Sequence, residues 1–134
     1  MDFASMWSVF YDQMFTYNGY KKVLDGLLAT AEIAVFGLLI GIVIGTVLAI
    51  AKVVPKYHVF PRICSGIAGV HIAIFRGTPM VVQLLIGYFV LMPALGISAQ
   101  PLGVAILIFG LNSGAYVSEI MRSGINSVDR GQLE

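Results

Sequence analysis

The chain has 134 residues, of which 58% are hydrophobic and 11% charged, and its net charge is +1. Soluble domains carry about 25% charged residues. A chain this short also leaves much of its surface exposed when folded, so the composition excludes a water-soluble globular domain and makes lipid the expected solvent. No basic run offers a surface to nucleic acid, and the single cysteine, Cys64, rules out an internal disulfide or a cysteine metal cluster.

Residues 1–20 place Phe3, Met6, Trp7, Phe10 and Met14 at helical spacing, with Asp2, Asp12 and Gln13 between them. That pattern predicts an amphipathic helix lying in the membrane interface, where Trp and Tyr favour the boundary between lipid and water. The first lysines are Lys21 and Lys22. The segment therefore lacks the basic head and uniform apolar run of a secretory signal peptide.

Ile33 to Ala51 carries no charge. About 20 apolar residues cross the hydrocarbon core, which predicts a first span over residues 27–51. Gly37, Gly41 and Gly45 recur every fourth residue and so share one helix face. Small residues at that spacing let two helix backbones approach closely, and the expected role is helix packing.

The next hydrophobic region is irregular. Ile63 to Phe75 is apolar but short, and Arg76-Gly77-Thr78-Pro79 interrupts it. Proline is favoured at a helix start, Thr78 is placed to cap that helix, and Arg76 is expected near the headgroups, since charge at mid-bilayer is costly. From Gly77 to Ser118 no residue is charged, a run too long for one span and suited to two. Pro93, Gly96, Ser98, Gln100 and Pro101 mark a loop between them, giving spans at 79–92 and 102–120. The fold class expected is all-α and transmembrane: three spans preceded by an N-terminal interfacial helix.

Glu119 and Arg122 lie three apart at the inner end of the last span, with Tyr116 on the same side. They can pair. Ionisable groups at this depth mark a pathway or a protein contact, and equally serve as an interfacial ion pair anchoring the helix. His71, in an apolar stretch, is expected to be packed and neutral. Residues 121–134 are polar, and the chain stops where a further helix would begin, the pattern of a truncated polypeptide. Lys52, Lys56 and Arg62 in the first linker, with Arg122 and Arg130 near the end, place linker and tail in the cytoplasm and the N-terminus outside. There is no phosphate-binding loop, serine elbow or metal-binding His/Glu pair, so neither enzymatic chemistry nor a metal site is expected of this chain.

Two segments carry a resemblance. Leu111 to Ile125, followed by Asp129 to Glu134, and Phe75-Arg76-Gly77-Thr78-Pro79-Met80-Val81-Val82-Gln83-Leu84 together resemble the permease subunits of binding-protein-dependent ABC importers for polar amino acids such as histidine, glutamine and arginine. Asp25 to Glu32 looks like that family's usual opening, and the likeness runs from about residue 20 onward. It implies the N-terminal part of a permease domain in a bacterial inner membrane. Its implied partners are a second, identical or homologous permease subunit, two ATPase subunits that bind ATP and Mg, and an extracellular or periplasmic amino-acid-binding protein. Arg76, Gly77, Thr78, Pro79 and Gln83 match one signature. Gly131, Gln132 and Glu134 match the opening of the ATPase-docking helix, and two further spans would follow. Within that reading, Tyr116 and Glu119 are the candidates for the substrate pathway, with Glu119 suited to an ammonium or guanidinium. The competing expectation is a small autonomous channel or proton-coupled transporter built by oligomerisation of three-span chains.

Overall fold

A computed structural model describes residues 2–128, and among these every element is helical. The residues matched to the ATPase-docking helix, Gly131, Gln132 and Glu134, lie outside the described residues. The chain divides into two compact units, Met1–Glu32 and Ile33–Glu134.

In the first unit, helix α1 (Phe3–Tyr11) continues as a single π-helical turn over Asp12–Thr16. Trp7 stacks on Phe10 at 5.7 Å and Tyr11 lies 4.9 Å from Phe15 between ring centroids, so aromatic residues pair along this segment itself. The run ends at Asn18, whose φ of 55° is a left-handed conformation that asparagine tolerates better than most residues. Helix α2 (Gly19–Val53) then begins, giving residues 19–32 to the first unit and 33–53 to the second.

The second unit also holds α3 (Val59–Gly77), α4 (Met80–Ala94) and α5 (Pro101–Asn126). Helices α2, α3 and α5 are long and apolar enough to cross a membrane. The placement of the middle span differs from the sequence expectation. The middle membrane-length helix is Val59–Gly77, whereas residues 79–92 fall in the shorter apolar helix α4. A search for charge-free runs discards Val59–Gly77 because Arg62 and Arg76 sit near its two ends. At helix ends, however, long cationic side chains reach the interface and do not break a span.

Helix α4 contains a π-helical turn at Gly87–Leu91 and stops at a glycine C-cap. Gly96 has φ +68°, its N–H donates to the Pro93 carbonyl, and the Ile97 N–H donates to the Met92 carbonyl. This pair of bonds closes a helix end when glycine takes the left-handed position. Pro101 then opens α5 at its first turn, where proline's missing N–H does no harm. Met92, Val104 and Ile108 form a buried apolar cluster, with Met80, Leu84, Tyr88, Ala99 and Leu111 packed around it. Helix α4 is thus held on α5, and α3 packs on α5 as well.

The glycine face of α2 meets α5. A Cβ placed on Gly41 would stand 2.5 Å from Ser113 Cβ and 3.2 Å from the Gly114 nitrogen. One on Gly37 would meet Phe109 Cβ at 3.1 Å, and one on Gly45 would meet Val117 Cβ at 2.7 Å. From the other side, Ile40 and Ile44 close on Gly110 and Gly114. Two helices approach this closely only where side chains are missing.

Candidate functional site at the helix break

The break between α3 and α4 is a problem in backbone hydrogen bonding. In an uninterrupted helix the Phe75 carbonyl would accept from the N–H of residue 79. Residue 79 is proline and has none. A carbonyl left unpaired in an apolar setting costs about 1–3 kcal/mol.

Side chains fill the gap. Gln83 Nε2 donates to the Phe75 carbonyl at 3.0 Å, to the Thr78 carbonyl at 2.9 Å and to Thr78 Oγ1 at 2.9 Å. Asn112 Nδ2, from the middle of α5, donates to the same Phe75 carbonyl at 3.0 Å and to Gln83 Oε1 at 3.2 Å. The carbonyls accept only, so both carboxamide orientations are fixed by their partners. Gln83 is 8% exposed.

Thr78 takes a part other than the one read from the sequence. Helix α4 begins at Met80 with Pro79 as its N-cap residue and no side-chain cap. The Thr78 hydroxyl instead donates back to the Ile74 carbonyl at 2.7 Å, closing the end of α3, not the start of α4. The same Ile74 carbonyl also accepts the Thr78 backbone N–H at 3.1 Å, so both Thr78 donors serve the end of α3.

Beside the amides lies a charged group of three. Arg122 donates through Nε to Glu119 Oε1 at 3.2 Å and through Nη2 to Oε2 at 2.9 Å. Arg76 Nη1 is 3.2 Å from the same Oε2, and its guanidinium lies 5.4 Å from the centroid of the Tyr116 ring. Tyr116 and Glu119, singled out from sequence, therefore both touch Arg76 of the other signature. Side-chain exposures of 42% for Arg76, 25% for Glu119 and 43% for Arg122 leave the group partly solvated. Solvent screens pairs this exposed, so their contribution to stability is modest.

His71 hydrogen-bonds through Nε2 to the Leu111 carbonyl at 3.1 Å and packs against Phe75 at 4.5 Å between ring centroids. A carbonyl can only accept, so Nε2 carries a proton. No hydrogen bond joins His71 to Glu119 among the described residues. An apolar cavity of about 220 Å³ borders the junction, with Phe75, Gln83, Ile108 and Leu111 in its wall. Among the described residues no cluster of His, Cys, Asp and Glu could hold a metal ion.

Asn112 is the residue that sequence reasoning passed over. It lies inside the α5 segment that carries the family resemblance. The available signal was an amide in the middle of an uncharged apolar helix, a placement that is unfavourable unless the amide is paired across helices.

Comparison with known proteins gives these features a setting. The putative glutamine transport system permease protein of Rickettsia prowazekii (strain Madrid E) is 41% identical over 124 residues, covering 90% of this chain and 55% of that protein. The arginine transport system permease protein of Bacillus subtilis (strain 168) is 42% identical over 112 residues, 84% of this chain and 49% of that protein. The chain is related to the permease subunits of amino-acid ABC transporters. A third relative, the L-cystine transport system permease protein of Bacillus subtilis (strain 168), is 37% identical over 112 residues, 81% of this chain and 44% of that protein. Among solved structures, the crystal structure of an amino acid ABC transporter with histidines matches with a TM-score of 0.72 and 31% identity, over 98% of this chain and 54% of that one. No family model matches the chain. The chain spans about half the length of the curated relatives it matches. Together with its three membrane-length helices, the relationship points to a multi-pass membrane protein.

Proposed function

We propose that this chain forms part of the membrane pathway of a binding-protein-dependent ABC importer for polar amino acids. The observation that carries the reading is the meeting of Arg76 with Tyr116 and Glu119, which joins the two signature segments in space. It occurs in a chain about 40% identical to amino-acid transport permeases. In this role the chain hydrolyses nothing. ATP and Mg are bound by partner ATPase subunits on the cytoplasmic side, a second permease subunit completes the pathway, and a binding protein delivers the amino acid from outside the inner membrane. Lys52 in the last turn of α2, Lys56 in the linker and Arg62 in the first turn of α3 support a cytoplasmic placement of that junction.

Tyr116 and Glu119 are the pathway groups of this reading. Glu119 already has its charge met by Arg76 and Arg122. A cationic side chain that binds there competes with the arginines already on the carboxylate, of which Arg76 makes the single contact. Alternating access requires the substrate to bind two conformations with different affinity, and an ion pair that opens and closes is one source of that difference.

The test is co-purification of the gene product that carries this chain with its ATPase, followed by amino-acid-stimulated ATP hydrolysis across a panel that includes glutamine, arginine and cystine. Stimulation by one or a few polar amino acids is expected. Absence of a bound ATPase, or hydrolysis indifferent to every amino acid, would sink the reading. In the same preparation Glu119→Gln is expected to weaken uptake of cationic amino acids more than of glutamine.

A further inference from the structure

We propose that Gln83 and Asn112 are positioning residues that act as one latch, pinning the α3–α4 break to α5 so that the Arg76 guanidinium stays on Tyr116 and Glu119. The inference rests on the permease reading above and concerns the same junction.

The latch follows from Pro79. By withholding an N–H, proline leaves the Phe75 carbonyl open, and two carboxamides from different helices converge on it at 3.0 Å each. Every amide hydrogen of Asn112 is used, one on Phe75 and one on Gln83 Oε1. Gln83 passes the connection on to Thr78 through the Thr78 carbonyl and hydroxyl. The pinned residues, Phe75 and Thr78, flank Arg76 in the chain. Its backbone is thereby held within one residue on one side and two on the other, and its side chain is delivered to Glu119 Oε2 at 3.2 Å and to the Tyr116 ring at 5.4 Å. Neither amide touches Tyr116 or Glu119 through any hydrogen bond among the described residues. Their action on those groups runs through Arg76.

A hydrogen-bonded bridge that served folding alone would, when broken, lower the amount of working transporter for all substrates alike. A latch that places Arg76 does something else. When it is broken, Arg76 leaves Glu119, the carboxylate is less neutralised, and discrimination between cationic and neutral substrates changes. The experiment is uptake of arginine and of glutamine by the reconstituted complex of permease, ATPase and binding protein, comparing wild type with Asn112→Leu, Gln83→Leu, Arg76→Gln and the Arg76→Gln/Asn112→Leu pair. The ratio of the arginine KM to the glutamine KM is expected to shift in the same direction in all three single variants. The size expected is up to about fivefold, the range a partly exposed ion pair commands. Adding Asn112→Leu to Arg76→Gln should shift the ratio no further, because the amides act through Arg76.

An unchanged ratio in variants that assemble would overturn the proposal, as would a double variant whose shift is the sum of the singles. If Asn112→Leu fails to assemble, Asn112→Ala and Gln83→Leu report on the same latch. Failure of all three to assemble while Arg76→Gln assembles assigns the amides to folding and also overturns it. A wild-type complex that moves no amino acid removes the permease reading first, and the latch with it.

Discussion

Toward α2, helix α5 (Pro101–Asn126) turns Gly110, Ser113, Gly114 and Val117, and the contact is made by removing side chains until backbones nearly touch. Toward the α3–α4 break it turns Leu111, Asn112, Tyr116 and Glu119, and the contact is made by hydrogen bonds and an ion pair. Lipid gives helices little hydrophobic reason to associate, so both faces rely on what remains, which is dispersion at short range and polar pairing. The two differ in how they can yield. A close-packed seam has little slack, since its neighbours are backbone atoms and the Cβ and branch atoms fixed next to them, not the far ends of flexible side chains. A polar junction can exchange one partner for another at modest expense.

The largest expected effect is on the packed seam. A methyl group at Gly41 collides with Ser113 Cβ at 2.5 Å and with backbone atoms of Ser113 and Gly114 at 3.3 and 3.2 Å. Gly41→Ala should destabilise by about 1–3 kcal/mol, the usual range for overpacking, and Gly41→Leu should prevent folding. Thermal unfolding in detergent measures the first. Ser113→Gly in the Gly41→Ala background removes the nearest atom and should recover part of the loss. Wild-type stability in Gly41→Ala would break the contrast between a rigid and a yielding face.

Next comes the polar junction. Gln83→Leu leaves the Thr78 carbonyl without its side-chain donor and Asn112 without one of its acceptors, while Asn112 still serves Phe75. The loss should be about 1–3 kcal/mol, as for a buried group left unpaired. Asn112→Leu should cost a similar amount, and the double variant less than the sum, because the two amides share one hydrogen bond and one acceptor. Strict additivity in the same unfolding assay would show two independent bonds in place of a network.

The packed face is written in the sequence by spacing alone. Gly37, Gly41 and Gly45 fall on one side of any helix through them, and Gly110 and Gly114 repeat the interval. The membrane-length helices at either end of the second unit were equally legible, because an uncharged apolar run has few other uses. The junction was only half legible. Arg76–Pro79 announced a break, but which carbonyls it orphaned, and which amides from distant positions would answer them, depends on how α3, α4 and α5 meet. Periodicity along one helix carries no such information. For the same reason spacing points Thr78 at the helix that follows it when its hydroxyl serves the one before, and it pairs Glu119 with Arg122 but does not show Arg76 as the second arginine on that carboxylate.

The smallest effects sharpen the comparison by contrast within one helix. Gly66 and Gly69 both lie inside α3, yet a Cβ on Gly66 meets nothing within 4 Å, and one on Gly69 meets only the Lys52 side chain, with Nζ at 2.9 Å. The far end of a lysine can swing aside, whereas the backbone at Gly41 cannot. Alanine in a helix interior is favoured over glycine by about 0.5–1 kcal/mol because glycine loses more freedom on folding. Gly66→Ala should therefore raise thermal stability slightly, and Gly69→Ala should leave it near wild type as the helix gain offsets displacement of Lys52. A clear loss at Gly66 would mean that another surface, from lipid or from a partner subunit, closes on that position of α3 as tightly as α5 closes on Gly41. The distinction between α3 as a yielding helix and α2 as a packed one would then have to be redrawn around that contact.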